Sequence, residues 1–252
     1  MSALKVLLIA EGPSEFGCLD NPYRSASGDE GYFPPMLRKV LDRPLAIDAQ
    51  SVMRIGRFDQ KAKLKGHADR AASALLIASQ YDYELLVFVK DVDRAGGEKK
   101  SAHERKRKLQ KMHLEIEDGF TAVHDATHVT RVKATPCRMI EAWALGDSNA
   151  IAKVRDKRAP KIDVPTRPEE LWGDDRDPRS SHPKRVLARA LGHEPTAHDF
   201  ENLARESDPS SVHKACPESF GPFLDELTLA AASLTPAPAS SRPKRSRGRS
   251  RT

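Results

Sequence analysis

Two stretches of the chain are apolar without alternation: LKVLLIAEG (residues 4–12) and ELLVFVKD (residues 84–91). A strand with one wet face alternates polar and apolar residues. An unbroken apolar run means both faces are covered, as in a parallel sheet with helices above and below. Between these runs the period changes. PPMLRKVL (34–41) predicts a short helix with proline in its first turn, AIDAQSVMRIG (46–56) a second strand, and the Ala- and Leu-rich GHADRAASALLIASQ (66–80) a helix. Residues 98–118 form a charged amphipathic pattern with Leu109, Met112 and Ile116 on one side. HVTRVKATP (128–136) alternates like a strand and is stopped by Pro136. Residues 13–35, rich in Gly, Pro, Ser and Asn, predict a long loop, which in a compact domain is usually a working one. The order strand, helix, strand, helix predicts an α/β fold with a mostly parallel sheet flanked by helices.

After residue 146 the texture shifts to short helical pieces separated by polar loops. We therefore expect three parts: an α/β domain over 1–146, a helical C-terminal portion over 147–234 packed on the sheet, and a basic tail over 235–252. The charge is informative only when divided this way. The chain holds 42 Lys and Arg against 36 Asp and Glu, for a net +6. The tail TPAPASSRPKRSRGRSRT contains six of those cations and no acid, so residues 1–234 carry 36 of each sign and are neutral. The basic character belongs to a segment expected to be disordered, which would touch nucleic acid loosely or simply aid solubility. Cys18, Cys137 and Cys216 are odd in number and far apart, which disfavours disulfides and structural zinc. With no apolar run of membrane-spanning length and no signal-peptide pattern, a cytoplasmic protein away from membranes is expected.

The chemistry sits where the apolar runs stop. Open α/β sheets place functional groups at the carboxyl ends of their strands. Glu11 ends the first run and is followed by Gly12; Asp91 and Asp93 end the later one. Side chains two apart on extended chain project the same way. Two such carboxylates repel unless one keeps a proton or a cation lies between them. Mg²⁺ or Mn²⁺ suits an all-oxygen set of this kind, with Glu11 completing the site from a neighbouring strand. A dehalogenase-type phosphatase fits less well, because its D-x-D lies on the first strand. A sugar transferase leaves the Glu-Gly strand end without a task. D-x-D pairs also occur as plain loop caps. His124 and His128 have no third ligand nearby and read as surface residues. RAGGEKKS (94–101) lacks the spacing of a phosphate-binding loop, so no ATPase engine is evident in the chain. The run EKKSAHERKRKLQK (98–111) reads equally as a solvated helix face or as a track for a nucleic-acid backbone.

A glutamate at the end of a first strand followed by a later D-x-D resembles the Toprim pattern of topoisomerases, bacterial primases, a ribosomal-RNA maturase and OLD-type nucleases. IAEGPSE is similar to the E-G-x-[ST]-E opening of the OLD-like branch. PCRMIEAWALGD (136–147), HPKRVL and CPESFGPFLDEL resemble segments of small bacterial Toprim-like proteins often encoded beside an ABC-type ATPase, so the likeness spans most of residues 4–227. It implies a Toprim-like sheet and a Mg²⁺- or Mn²⁺-dependent nuclease, in which Glu11, Asp91, Asp93 and Glu141 are catalytic. Glu11, Asp91, Asp93, Glu15 and Glu141 would be metal ligands, the last two serving a second ion. Lys184 and Arg94 would contact phosphate. The implied partners are nucleic acid, DNA ahead of RNA, and a separate ATPase, in a phage-defence role. The alternatives are a Toprim-fold regulatory or binding subunit that does not cut, and a phosphatase or nucleotidyl hydrolase. A topoisomerase is disfavoured because Tyr23, Tyr32, Tyr81 and Tyr83 all lie in the N-terminal part, and a primase because the cysteines cannot build its zinc domain.

Overall fold

The computed structural model describes residues 2–19, 28–58, 64–92, 102–158 and 163–234. Four parallel strands form one sheet: β1 (Leu4–Ala10), β2 (Leu45–Ser51), β3 (Leu85–Val89) and β4 (Thr130–Ala134), in the order β2-β1-β3-β4. The two unbroken apolar runs are its central strands. Their alternate residues feed two separate cores, which explains the absence of a polar face. Leu4, Val6, Leu8 and Ala10 of β1 and Leu85, Val87 and Val89 of β3 enter one core. Leu7, Ile9, Leu86 and Phe88 enter the other.

The second core is closed by α3 (Gly66–Gln80) and α4 (Ala102–Thr121), with Ala71, Ala74, Leu75, Ile116 and Phe120 meeting the sheet. The first is closed by α2 (Phe33–Leu41) and by the C-terminal helices. These are α5 (Ile140–Ala144), α6 (Ser148–Val154), α7 (Pro183–Leu191), α8 (Ala197–Glu206), α9 (Pro209–Ala215) and α10 (Phe220–Leu234), with a 3₁₀ turn at Pro168–Glu170. The helical portion thus shares a core with the sheet. Trp143 anchors it, stacked on Phe223 at 5.3 Å and edge-on to Phe220 at 4.9 Å, with its indole N–H donating to Ser219 Oγ at 2.8 Å.

Three expectations shift. The second strand stops at Ser51 rather than 56, because Val52 and Ile55 turn inward to the α3 core. The charged helix continues past 118 to Thr121, with residues 98–101 outside the described residues. The predicted loop opens with a helical turn, α1 (Pro13–Phe16), closed by Glu15 reaching back to the Gly12 N–H at 2.9 Å. The two ends of the loop are clasped: Cys18 N–H donates to Asp29 O at 2.7 Å and Tyr32 N–H to Ser14 O at 2.9 Å. Gly17 (φ +59°) and Gly31 (φ +68°) make this clasp possible, since a Cβ on Gly17 would lie 1.9 Å from Asp29 O. The basic tail lies outside the described residues.

Candidate active site at the carboxyl edge of the sheet

The strand order fixes where a site can form. From β1 the chain moves outward to β2, then crosses back to place β3 on the other side of β1. The carboxyl ends of β1 and β3 therefore flank the topological switch point, where open parallel sheets leave a crevice. Glu11 follows β1 and Asp91 follows β3 by two residues. Beyond β3 the pairing continues: Lys90 N–H donates to Ala134 O and Val92 N–H to Pro136 O, with Val92 bridging to Cys137. This draws the turn that leads into α5 alongside Asp91.

Glu11 forms an ion pair with Lys90, the residue next to Asp91. Both are partly shielded, with side-chain exposures of 33% and 16%. Alternation along the strands carries Glu11 and Lys90 onto the face of Leu7, Ile9 and Phe88, and Asp91 onto the face of Val87 and Val89. Asp91 is buried, 8% exposed. Asp93 and Arg94 lie outside the described residues.

A second acidic pair forms on the α2 side of the sheet. Glu15 of α1 and Glu141 of α5 are both buried. Burial pushes the Glu15 carboxyl up to about 7; its own amide and that of Gly12 oppose the rise, and the negative charge of Glu141 adds to it. Burial likewise raises Glu141, with Lys184 in the first turn of α7 pulling the other way. Glu141 is therefore within electrostatic reach of both Glu15 and Lys184. Such a pair holds a proton near neutral pH, and either a proton or a cation satisfies it.

The donor set at this edge is oxygen only, which suits a hard divalent ion. Two observations bear on its fit. Lys90 already supplies a positive charge at Glu11. Among the described residues, the group of three whose ligand atoms converge within 4.8 Å lies elsewhere, at Asp29, His198 and Glu201. That group could hold a metal ion. His198 Nδ1 is 3.1 Å from Asp29 Oδ1, while Glu201 also accepts from Glu30 N–H at 2.8 Å and pairs with Arg205 at 2.7 Å. Sequence reading could not find it, because Asp29 sits in the loop before α2 and the other two on α8. Lys90 was missed for a related reason: its role depends on which strand neighbours β1.

Fold and site together define an open parallel α/β protein with a carboxylate-lined edge at its switch point. No family model matches the chain, and no curated protein or solved structure gives a significant match. Among the described residues, no helix is long and apolar enough to cross a membrane.

Proposed function

We propose that the protein is a Toprim-like, metal-dependent phosphodiesterase, most simply a nuclease, acting with Mg²⁺ or Mn²⁺ at the β1/β3 edge. The observation that carries this reading is that Glu11 and Asp91 follow β1 and β3 at the switch point of the sheet, with a second, buried acidic pair, Glu15 and Glu141, on the α2 side. Glu11, Asp91 and Asp93 are the ligands proposed for the ion, with Glu15 and Glu141 for a second. A divalent cation bound there supplies Lewis-acid polarisation of a phosphoryl oxygen. The chain supplies the rest. Glu15, whose carboxyl is pushed up to about 7 by burial, gives up its proton on taking its proposed place as a ligand of the second ion. Lys184, close to Glu141, holds the phosphate charge against the carboxylates, and Arg94 is its proposed companion. DNA is the favoured substrate and a separate ATPase the proposed partner, in phage defence within the cytoplasm.

A second reading has its own support. Lys90 neutralises Glu11 from within the chain, which fits a binding or regulatory subunit that keeps the Toprim arrangement without cutting. Hydrolysis of bis(4-nitrophenyl) phosphate with Mn²⁺ separates the two, because this diester needs no partner protein. The nuclease reading expects turnover that falls at least a hundredfold in Glu11→Gln and Asp91→Asn. Turnover unaffected by both substitutions would remove the site from the chemistry. Cation binding without turnover would favour the non-catalytic subunit.

A further inference from the structure

Near Glu141 in the chain, Arg138 and Trp172 form a cationic and aromatic face. Arg138, three residues before Glu141, adopts φ +72°, a left-handed conformation unusual for arginine. Strained backbone of this kind concentrates where a side chain must be aimed. The guanidinium of Arg138 lies 3.9 Å from the ring centre of Trp172 and donates to Leu171 O at 2.9 Å. Trp172 itself is only half-buried.

The start of α7 closes the other side. This nine-residue helix has no acid in its first turn, carries Lys184 and Arg185 there, and receives no cap from a side chain. Cations at the positive end of a helix are mispaired unless an anion joins them. Pro183 has no N–H, which leaves those of Lys184 and Arg185 without partners inside the helix. Arg185 is held by Glu194 and by Asp175 O, so Lys184 is the cation positioned for a ligand. His182, which opens the helix, is buried, and its Nδ1 has no hydrogen-bond partner among the described residues. Burial lowers its pKa, as do Arg138, Arg185 and Lys184, with Asp175 opposing, so the imidazole is neutral. The chain thus leaves a buried polar atom unused at a helix end whose own first turn carries no acid.

We propose that this face is a nucleotide subsite, with a phosphate on Lys184 and the first turn of α7 and a base stacked against Trp172 where it is backed by Arg138. The subsite deepens the phosphodiesterase reading, since it delivers a phosphate beside Glu141 and a base one step away. Stacking tolerates any base, so the subsite selects single-stranded or unpaired nucleotides rather than a sequence.

The test is anisotropy of a labelled twelve-residue oligo(dT) in EDTA at low salt, with wild type and Glu141→Gln, in which the carboxylate that acts on Lys184 is removed. Trp143 is wholly buried, so quenching of solvent-exposed emission on binding reports Trp172. Trp172→Leu and Lys184→Gln, each confirmed folded by an unchanged melting transition, should each weaken binding at least fivefold. Lys184→Gln should also reduce the salt slope by about one. Displacement by dTMP would identify a free nucleotide as sufficient ligand, and retention against dTMP a strand; both support the subsite. No binding by either protein, or equal binding by both folded variants, overturns it. Binding that persists while Mn²⁺ binding at Glu11 proves absent would sink the catalytic reading and leave the subsite standing.

Discussion

Glu15→Gln is expected to stabilise the metal-free protein at alkaline pH, although it removes a charge from a charged cluster. An ordinary glutamate ionises near 4.5, and Glu15 does so at about 7. Because the folded pKa is raised, the stability contributed by the protonated form is complete below 4.5 and lost as pH rises through 7. At ~1.4 kcal/mol per pH unit, ionising Glu15 in the folded state costs about 3 kcal/mol by pH 8, of which roughly 2.5 is lost between pH 5 and 8. Glutamine matches the protonated form and can still accept the Gly12 N–H bond. Urea unfolding of chelator-treated protein at pH 5 and pH 8 measures the difference. Wild type should fall relative to Glu15→Gln by about 2–3 kcal/mol across that interval, and Mn²⁺ should recover part of the loss in wild type alone. Parallel pH profiles for the two proteins, or a less stable variant at pH 8, would refute the account of a buried carboxyl held protonated by its surroundings.

Other expectations concern the supports of the site. Glu11→Gln leaves the partly buried Lys90 without its carboxylate and should lower the melting temperature of metal-free protein by a few degrees, about 1 kcal/mol, in a thermal-shift scan. Trp143→Phe keeps most of the aromatic volume but removes the buried N–H donor to Ser219 Oγ, which retains its bond to Glu169; denaturant unfolding should show a loss of about 1–2 kcal/mol, and Trp143→Ala about 3–5. Gly17→Ala forces a Cβ onto Asp29 O at a positive φ, so limited proteolysis should cut between residues 17 and 31 faster than in wild type; an unchanged rate would argue against the clasp.

What the sequence disclosed follows from how local each signal is. The central strands were legible because Leu4–Ala10 and Leu85–Val89 are apolar at every buried position, a direct imprint of helices on both faces. Helix α3 was legible to the residue from its alanines and leucines. Helix α1 was hidden in a Gly- and Pro-rich stretch, because its four residues close through Glu15 and Gly12 rather than through an apolar period. Glu11 and Asp91 could be picked out by their places at strand ends, whereas Glu141 came only from the resemblance of its segment to small Toprim-like proteins. The Glu11–Lys90 pair could not, since it follows from β3 lying next to β1. Nor could the mutual charge of Glu15 and Glu141, or the stacking of Arg138 on Trp172, which join segments far apart in the chain.

The central claim is that the carboxylates at the β1/β3 edge hold a divalent cation. Calorimetric titration of chelator-stripped protein with Mn²⁺ tests it most directly, using wild type, Glu11→Gln, Asp91→Asn and His198→Ala. Binding lost in Glu11→Gln and Asp91→Asn but kept in His198→Ala is the predicted result. Binding that survives the first two and disappears in His198→Ala would move the metal to Asp29, His198 and Glu201 and contradict the account.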